Sequence, residues 1–329
     1  MTTDHQHLSV KAIYNASNNI NKLLALPTPF YRAYELSHLT GQSIWLKDET
    51  LQPTGAFKVR GAANKIYQLS SKQRQKGVVA VSTGNHGCAV AYIAQQMGIP
   101  AYICVSKRVP DNKIANIKRY NPHLVIEGDS QDEAETVAQR LINDKGLTFI
   151  SPFDDADVIC GQGTIGLEMF QYHPNLTQVL VPLSGGGLMG GIALIMKQLN
   201  PHIRMIGVSM KQGAVMHTSL QKGQPITMPE ADTLADSLQG GIGGEHNHYT
   251  FELAQKYIDQ TILVSESAIQ NAMQFMLHEH KHLYEGAAVV GIAALLEGLV
   301  QPTGPTATIL SGQNVSPQIL KTLIASTKA

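Results

Sequence analysis

The chain has 329 residues, enough for two ordinary domains and a well-buried core, so size does not exclude an enzyme. Its 25 basic and 25 acidic side chains cancel. That excludes a net field drawing the protein to nucleic acid or an anionic membrane, and leaves a small molecule as the expected partner.

The first residues, MTTDHQHLSV, lack the basic and then apolar profile of a leader, and the most apolar stretch, Gly286 to Leu299, is too short to span a bilayer. Cys88, Cys104 and Cys160 lie in or beside apolar runs without paired spacing and read as reduced core thiols. A soluble, cytoplasmic protein is expected.

In chain order, HLSVKAIYNASNNINKLL predicts a helix, and SIWLKDE predicts a strand that must join a sheet formed elsewhere. PTGAFKVRGA then turns from loop into helix, with Lys58 directly after Phe57. From Val78 onward, β-branched runs (VVAV, AYICV, HLVI) alternate with amphipathic segments. This pattern predicts parallel βαβ units and a small α/β domain. After LTFISPF the alternation resumes with QVLVPLS, GLMGGIALIMKQL, RMIGVS, HYTFELAQKYID, QTILVSE and TATILS, a second α/β unit. The expected fold is α/β, with two open, mainly parallel sheets flanked by helices and a ligand cleft between them.

In such sheets ligands sit beyond the carboxyl ends of strands, which selects three loops. STGNHG, from Ser82, is either a well-capped helix start or a seat for a carboxylate or phosphate. SGGGLMGG, from Ser184, carries three consecutive glycines at a helix start, which leaves amides free to wrap an anion. Gly185, Gly187 and Gly190 also satisfy G-x-G-x-x-G, so a nicotinamide oxidoreductase is a rival reading. That rival needs an acid at the end of the next strand, and RMIGVS ends in Ser209, followed by Met210 and Lys211. LSGQNV, from Leu310, puts Ser311 at the end of a strand, as a turn residue or as a hydroxyl facing a ligand. HEHKH at His278 to His282 matches the zinc-hydrolase pattern H-E-x-x-H. These histidines fall at a helix end, where cationic side chains meet the negative end of the dipole, so no metal is expected.

Together, PTGAFKVRGA, STGNHG, GQGTIGLE (Gly161 to Glu168), SGGGLMGG, TLADSL (Thr233 to Leu238) and LSGQNV resemble the serine/threonine dehydratase family of pyridoxal-phosphate enzymes, in order and spacing over essentially the whole chain. The resemblance implies the tryptophan synthase β-like fold. It implies a large cofactor-binding domain from residues 1–52 and 153–329, and a small domain from 53–152. It further implies that Lys58 holds the cofactor aldehyde and that Phe57 lies against the ring. Asn85 would bond the ring 3′-oxygen, Ser184, Gly185, Gly186, Gly187 and Leu188 would cradle the phosphate, and Ser311 would meet the pyridine nitrogen. Ser82, Thr83, Gly84, Asn85 and His86 would clamp the substrate carboxylate. The chain departs from the family at Ala56, commonly serine, and Gln313, commonly glycine.

The chemistry implied is an α,β-elimination that turns a β-hydroxy amino acid such as L-threonine or L-serine into a 2-oxo acid and ammonia. An imine-forming lysine must be uncharged when it attacks, so Lys58 needs partial desolvation or neighbouring cations. A hydroxyl rather than a carboxylate at the pyridine nitrogen suits elimination better than a long-lived carbanion.

Serine racemases resemble the same core but have a second serine where Thr83 stands and a metal-binding glutamate where Ser209 stands. GVSMKQGAVMHTSLQKGQP and LADSLQGGIGGEHNHYTF look most like the hydroxyectoine-utilisation branch, whose substrate would be a hydroxylated diaminobutyrate-type amino acid. The chain ends soon after Ser311, so control through the C-terminal effector domain of biosynthetic threonine dehydratases is not expected. Asp236 and Glu285 either line the substrate pocket or serve as buried or capping acids. The resemblance implies a homodimer or tetramer.

Overall fold

The computed structural model describes residues 7–325. The chain opens with α1 (Val10–Ile20), whose Ser9 hydroxyl caps it by accepting the Ala12 N–H at 3.2 Å. There follow β1 (Phe30–Arg32), α2 (Tyr34–Thr40), β2 (Ile44–Asp48), α3 (Lys58–Tyr67) and α4 (Ser71–Lys76). The next stretch alternates strand and helix: β3 (Val78–Val81), α5 (Asn85–Gln96), β4 (Ala101–Val105), α6 (Asp111–Lys118), β5 (His123–Ile126), α7 (Gln131–Lys145) and β6 (Thr148–Phe149). Then come α8 (Ala156–Tyr172), β7 (Gln178–Pro182), α9 (Gly187–Leu199), β8 (Arg204–Met210), α10 (Val215–Lys222), α11 (Thr250–Tyr257) and β9 (Gln260–Val264). The chain closes with α12 (Glu266–Glu279), α13 (Val290–Leu296), β10 (Thr306–Leu310) and α14 (Pro317–Ala325).

The strands form two sheets, as the alternation predicts. One has the order β1-β2-β10-β7-β8-β9, parallel except for β1, and the other has the order β5-β4-β3-β6, parallel throughout. SIWLKDE supplies β2, which lies between β1 and β10 in the larger sheet. LTFISPF contributes only the two-residue β6, because the chain turns away at Ile150 toward α8.

Both faces of each sheet are covered, which is why the central strands read as unbroken apolar runs. In β7, Val179 and Val181 enter one core and Leu180 the core on the opposite face. In β3, Val78 and Ala80 face one core, and Val79 and Val81 the other. No helix among the described residues is long and apolar enough to cross a membrane.

Helices α8 and α9 pack at glycine contacts. A Cβ added at Gly191 would lie 2.6 Å from the Gly163 backbone nitrogen and would collide with Ile159 O. One at Gly161 would lie 2.7 Å from Arg60 O and Gly61 Cα, on α3. The glycines of GQGTIGLE therefore let three helix backbones approach. Gly191→Ala is expected to cost about 1–3 kcal/mol by forcing α8 from α9, read as a lower denaturant midpoint at unchanged slope.

Register brings the chemistry to one edge. Leu310 pairs with Asp48, so β10 and β2 end together, and the Glu49 N–H donates to Leu310 O at 3.0 Å. Beyond that edge lie the 49–57 loop leading into α3, the Ser184 loop after β7 and the Ser311 loop after β10. Asn85 reaches the same place from the end of the smaller sheet, through contacts to Glu285 and Asn314.

Candidate active site

Lys58 is the first residue of α3, with Phe57 at its N-cap in helical backbone geometry. The half-buried Lys58 side chain donates from Nζ to Pro152 O at 2.7 Å and lies 5.3 Å from the centroid of the Phe57 ring. Burial pulls its amine down to about 8, against the opposing influence of Glu285. The desolvation expected of an imine-forming lysine is therefore present.

The start of α3 is fastened to the Ser311 loop. Phe57 N–H donates to Ser311 O at 3.0 Å, and Ala56 forms an antiparallel bridge with Gly312. Ser311 is 3% exposed, and its hydroxyl has no hydrogen-bond partner among the described residues. At the departure from the family pattern, the Gln313 side chain donates to Thr50 O at 3.0 Å and so ties down the loop.

The glycine-rich loop is pressed into shape from one side. A Cβ on Gly185 would sit 2.6 Å from the Phe153 ring, and one on Gly187 would sit 2.8 Å from Phe153 O. Gly186 has φ +85°, and a Cβ there would meet Met216 and Thr250 at 2.8 and 2.9 Å. None of the backbone N–H groups of Gly185, Gly186, Gly187 and Leu188 has an acceptor among the described residues. Four successive free donors at the start of a thirteen-residue helix make an anion seat.

The loop from Ser82 to Asn85 is half-buried and leads into α5, and a Cβ on Gly84 would meet nothing within 4 Å. His86 behaves differently from the other four. It is 3% exposed, and its Nε2 lies 2.8 Å from Ile150 O. Burial, reinforced by the nearby Lys58, pushes its pKa down to about 3, so the ring is neutral and Nε2–H donates inward. What His86 offers the loop is its backbone N–H in the first turn of α5.

Asn314 carries no signal in the sequence, whereas Glu285 and Asp236 are open there between pocket-lining and capping roles. Glu285 is 4% exposed and accepts from Asn85 Nδ2 at 3.1 and 3.2 Å. Asn314 Nδ2 donates to Asn85 Oδ1 at 2.6 Å and to Thr54 O at 2.9 Å. Asp236 stands near Glu285 and pairs with Lys113 at 3.3 Å.

Two residues beyond Lys58, the fully buried Arg60 forks onto Glu49 (2.7 and 2.8 Å) and Glu168 (2.6 and 2.9 Å). Lys47, also fully buried, bonds Glu168 and donates to Thr28 O at 2.8 Å. Burial works against the Arg60 charge, but Glu49 and Glu168 more than offset it. Arg60 could have been suspected from PTGAFKVRGA, and its partners from WLKDE and GQGTIGLE.

The zinc-like motif does not form one helical face. His278 lies in the last turn of α12, His280 caps it, and His282 follows Lys281, whose φ is +56°.

A family model described as pyridoxal-phosphate dependent enzyme matches residues 22–312. The chain is 43% identical to a putative threonine dehydratase of Sinorhizobium fredii, over 94% of this chain and 93% of the relative. It is 40% identical to an L-threonine ammonia-lyase of Thermotoga maritima, over 88% of this chain and 71% of the relative. The solved structure of maize serine racemase superposes with a TM-score of 0.91 at 32% identity, over 97% of both chains. The side chains present fit pyridoxal phosphate. They offer an amine drawn toward neutrality for its aldehyde, four free N–H groups for its phosphate and the hydroxyl of a buried serine for its ring nitrogen.

Proposed function

The chain belongs to the pyridoxal-phosphate dependent enzymes, as a carbon–nitrogen lyase of their serine/threonine dehydratase branch, and from that membership we propose that it converts L-threonine or L-serine to a 2-oxo acid and ammonia. The observation that carries this reading is the half-buried Lys58 amine, drawn down to about 8 beside Phe57 and Glu285. When bound, the cofactor supplies the sink for electrons of the broken Cα–H bond.

Lys58 would hold the cofactor by its aldehyde, and its Nζ amine, free once the substrate is bound, takes the α-proton. The loop from Ser82 to His86 fixes the substrate carboxylate with its hydroxyls and the N–H groups opening α5. The Gly185 to Leu188 amides would hold the phosphate, and Phe57 would form an apolar wall beside the ring. Ser311 would meet the ring nitrogen as a neutral group, which would favour loss of the β-substituent over carbanion chemistry. The Cβ–O bond breaks and the hydroxyl leaves as water, taking up in net balance the proton that Lys58 removed from Cα. The enamine, once released, hydrolyses to the 2-oxo acid and ammonia, so the water lost is regained. In this reading the enzyme works in the cytoplasm as a homo-oligomer.

A hydroxylated diaminobutyrate-type amino acid is the second reading. It is favoured by Asp236 and Glu285, two neighbouring carboxyls that suit a second substrate amine. A racemase reading is disfavoured because Ser209 is 2% exposed, with its hydroxyl on the Met210 sulfur.

The test is a screen of β-hydroxy amino acids, with 2-oxo acid and ammonia both measured. Equal release of the two from threonine or serine is expected. Release confined to a diamino substrate would move the assignment to the second reading, and inversion at Cα without 2-oxo acid would overturn both.

A further inference from the structure

Asn85 presents an amide whose two ends differ only in which one donates, and its orientation decides what it offers a ligand. The orientation is set from outside. Thr54 O can only accept, so it fixes the Nδ2 end of Asn314, which donates to it at 2.9 Å. The other Asn314 hydrogen goes to Asn85 Oδ1 at 2.6 Å. That turns Asn85 Nδ2 toward Glu285, whose two oxygens lie at 3.1 and 3.2 Å. One Nδ2 hydrogen is shared between the carboxylate oxygens and the second is left over. A flipped amide would set its oxygen against the Glu285 carboxylate and its nitrogen against another nitrogen.

Glu285 is itself built in. Its N–H donates to Gly312 O at 3.1 Å, and a Cβ on Gly312 would meet its carboxylate at 2.6 to 3.0 Å, so the side chain occupies space that any residue but glycine would fill. It therefore links the Ser311 loop to the start of α5. We propose that Glu285 is a positioning residue for the cofactor ring: with Asn314 it holds the Asn85 amide so that its remaining N–H, not its oxygen, is offered to the ring 3′-oxygen. This rests on the cofactor placement proposed above.

The carboxyl also titrates in a useful range. Burial raises it to about 7, Asp236 adds to this, and Asn85, Ser237 and the Asn314 backbone N–H oppose it. The charged groups facing it are Lys58 from α3 and Asp236 from the turn Asp236–Leu238, the latter paired with Lys113 of α6. As pH rises through about 7, Glu285 becomes anionic and its hold on the Asn85 amide strengthens, so the electronic state of the ring should respond.

The experiment follows the visible absorption of the cofactor-loaded protein across neutral pH, together with cofactor affinity, in wild type, Glu285→Gln and Glu285→Ala, with circular dichroism as the folding control. In wild type a spectral step near pH 7 is expected. Glu285→Gln retains an acceptor for Asn85, so affinity should stay within about three-fold while the step disappears. Glu285→Ala frees the amide and should weaken cofactor binding by roughly ten-fold, the scale of one hydrogen bond. A folded Glu285→Ala with wild-type spectrum and affinity would overturn the proposal. If that variant does not fold, a pH step surviving in Glu285→Gln overturns it equally. Wild-type protein with no visible band at all would instead defeat the cofactor placement, so the two failures are distinguishable.

Discussion

Lys58→Ala is expected to lose turnover by roughly 10²–10⁴-fold or more and to lose the visible band of the bound cofactor, while the protein stays folded. The amine makes one hydrogen bond, to Pro152 O, and removing it costs about 1 kcal/mol. Lys58→Arg sharpens the point. A guanidinium keeps the positive charge but does not deprotonate in a protein, so it cannot form the bond to an aldehyde. If Lys58 were only a cation holding an anion, the arginine variant would retain activity. The lowered pKa gives a further signature. The neutral amine is the reactive form, so capture of pyridoxal phosphate by the apo-protein should accelerate as pH rises toward about 8 and level off above it.

The second large effect is on stability. Lys47, Glu49, Arg60 and Glu168 bring two positive and two negative side chains into the interior, and their charges cancel. Arg60→Met leaves the carboxylates under-compensated and removes four charge-assisted bonds, and such breakage of a buried pair costs about 3–5 kcal/mol. Arg60→Lys should recover little, because an ammonium cannot present the fork that reaches both carboxylates. Adding Glu49→Gln to Arg60→Met restores the charge balance and should recover part of the loss. Equilibrium denaturation checks this, and a single variant within about 1 kcal/mol of wild type would show that the network is dispensable. Arg60 lies in the first turn of α3 with Lys58, so residual folded variant should also bind cofactor more weakly.

The architecture was legible because parallel βαβ units write themselves plainly. Strands buried on both faces give runs such as VVAV and QVLV, and the loops at their carboxyl ends hold the polar residues. The three loops chosen on that basis meet at one edge of the fold. What the sequence could not show is how they are held. Glu285 sits in YEGAA and Asn314 in GQNV, each in a short irregular segment, and they meet Asn85 from 200 and 229 positions away. Nothing local encodes such a contact.

Phe153 was invisible for a similar reason, since it shapes the triglycine loop from a segment that reads only as a connector. The charges of WLKDE carried a hint, because Lys47, Asp48 and Glu49 in succession at the end of an otherwise apolar strand must be paired internally. His86 shows the reverse limit. The resemblance puts it in the loop that would clamp the substrate carboxylate, and within that loop its ring turns to Ile150 O, where a neutral imidazole can be buried.

In the proposed function, Lys58 carries the cofactor. The most direct measurement loads the protein with pyridoxal phosphate, reduces it with borohydride to fix the cofactor on the amine that holds it, and maps the peptides by mass. One equivalent of reduced cofactor on the peptide containing Lys58, absent when Lys58 is alanine, is the result expected; label on another lysine, or none, would contradict the account.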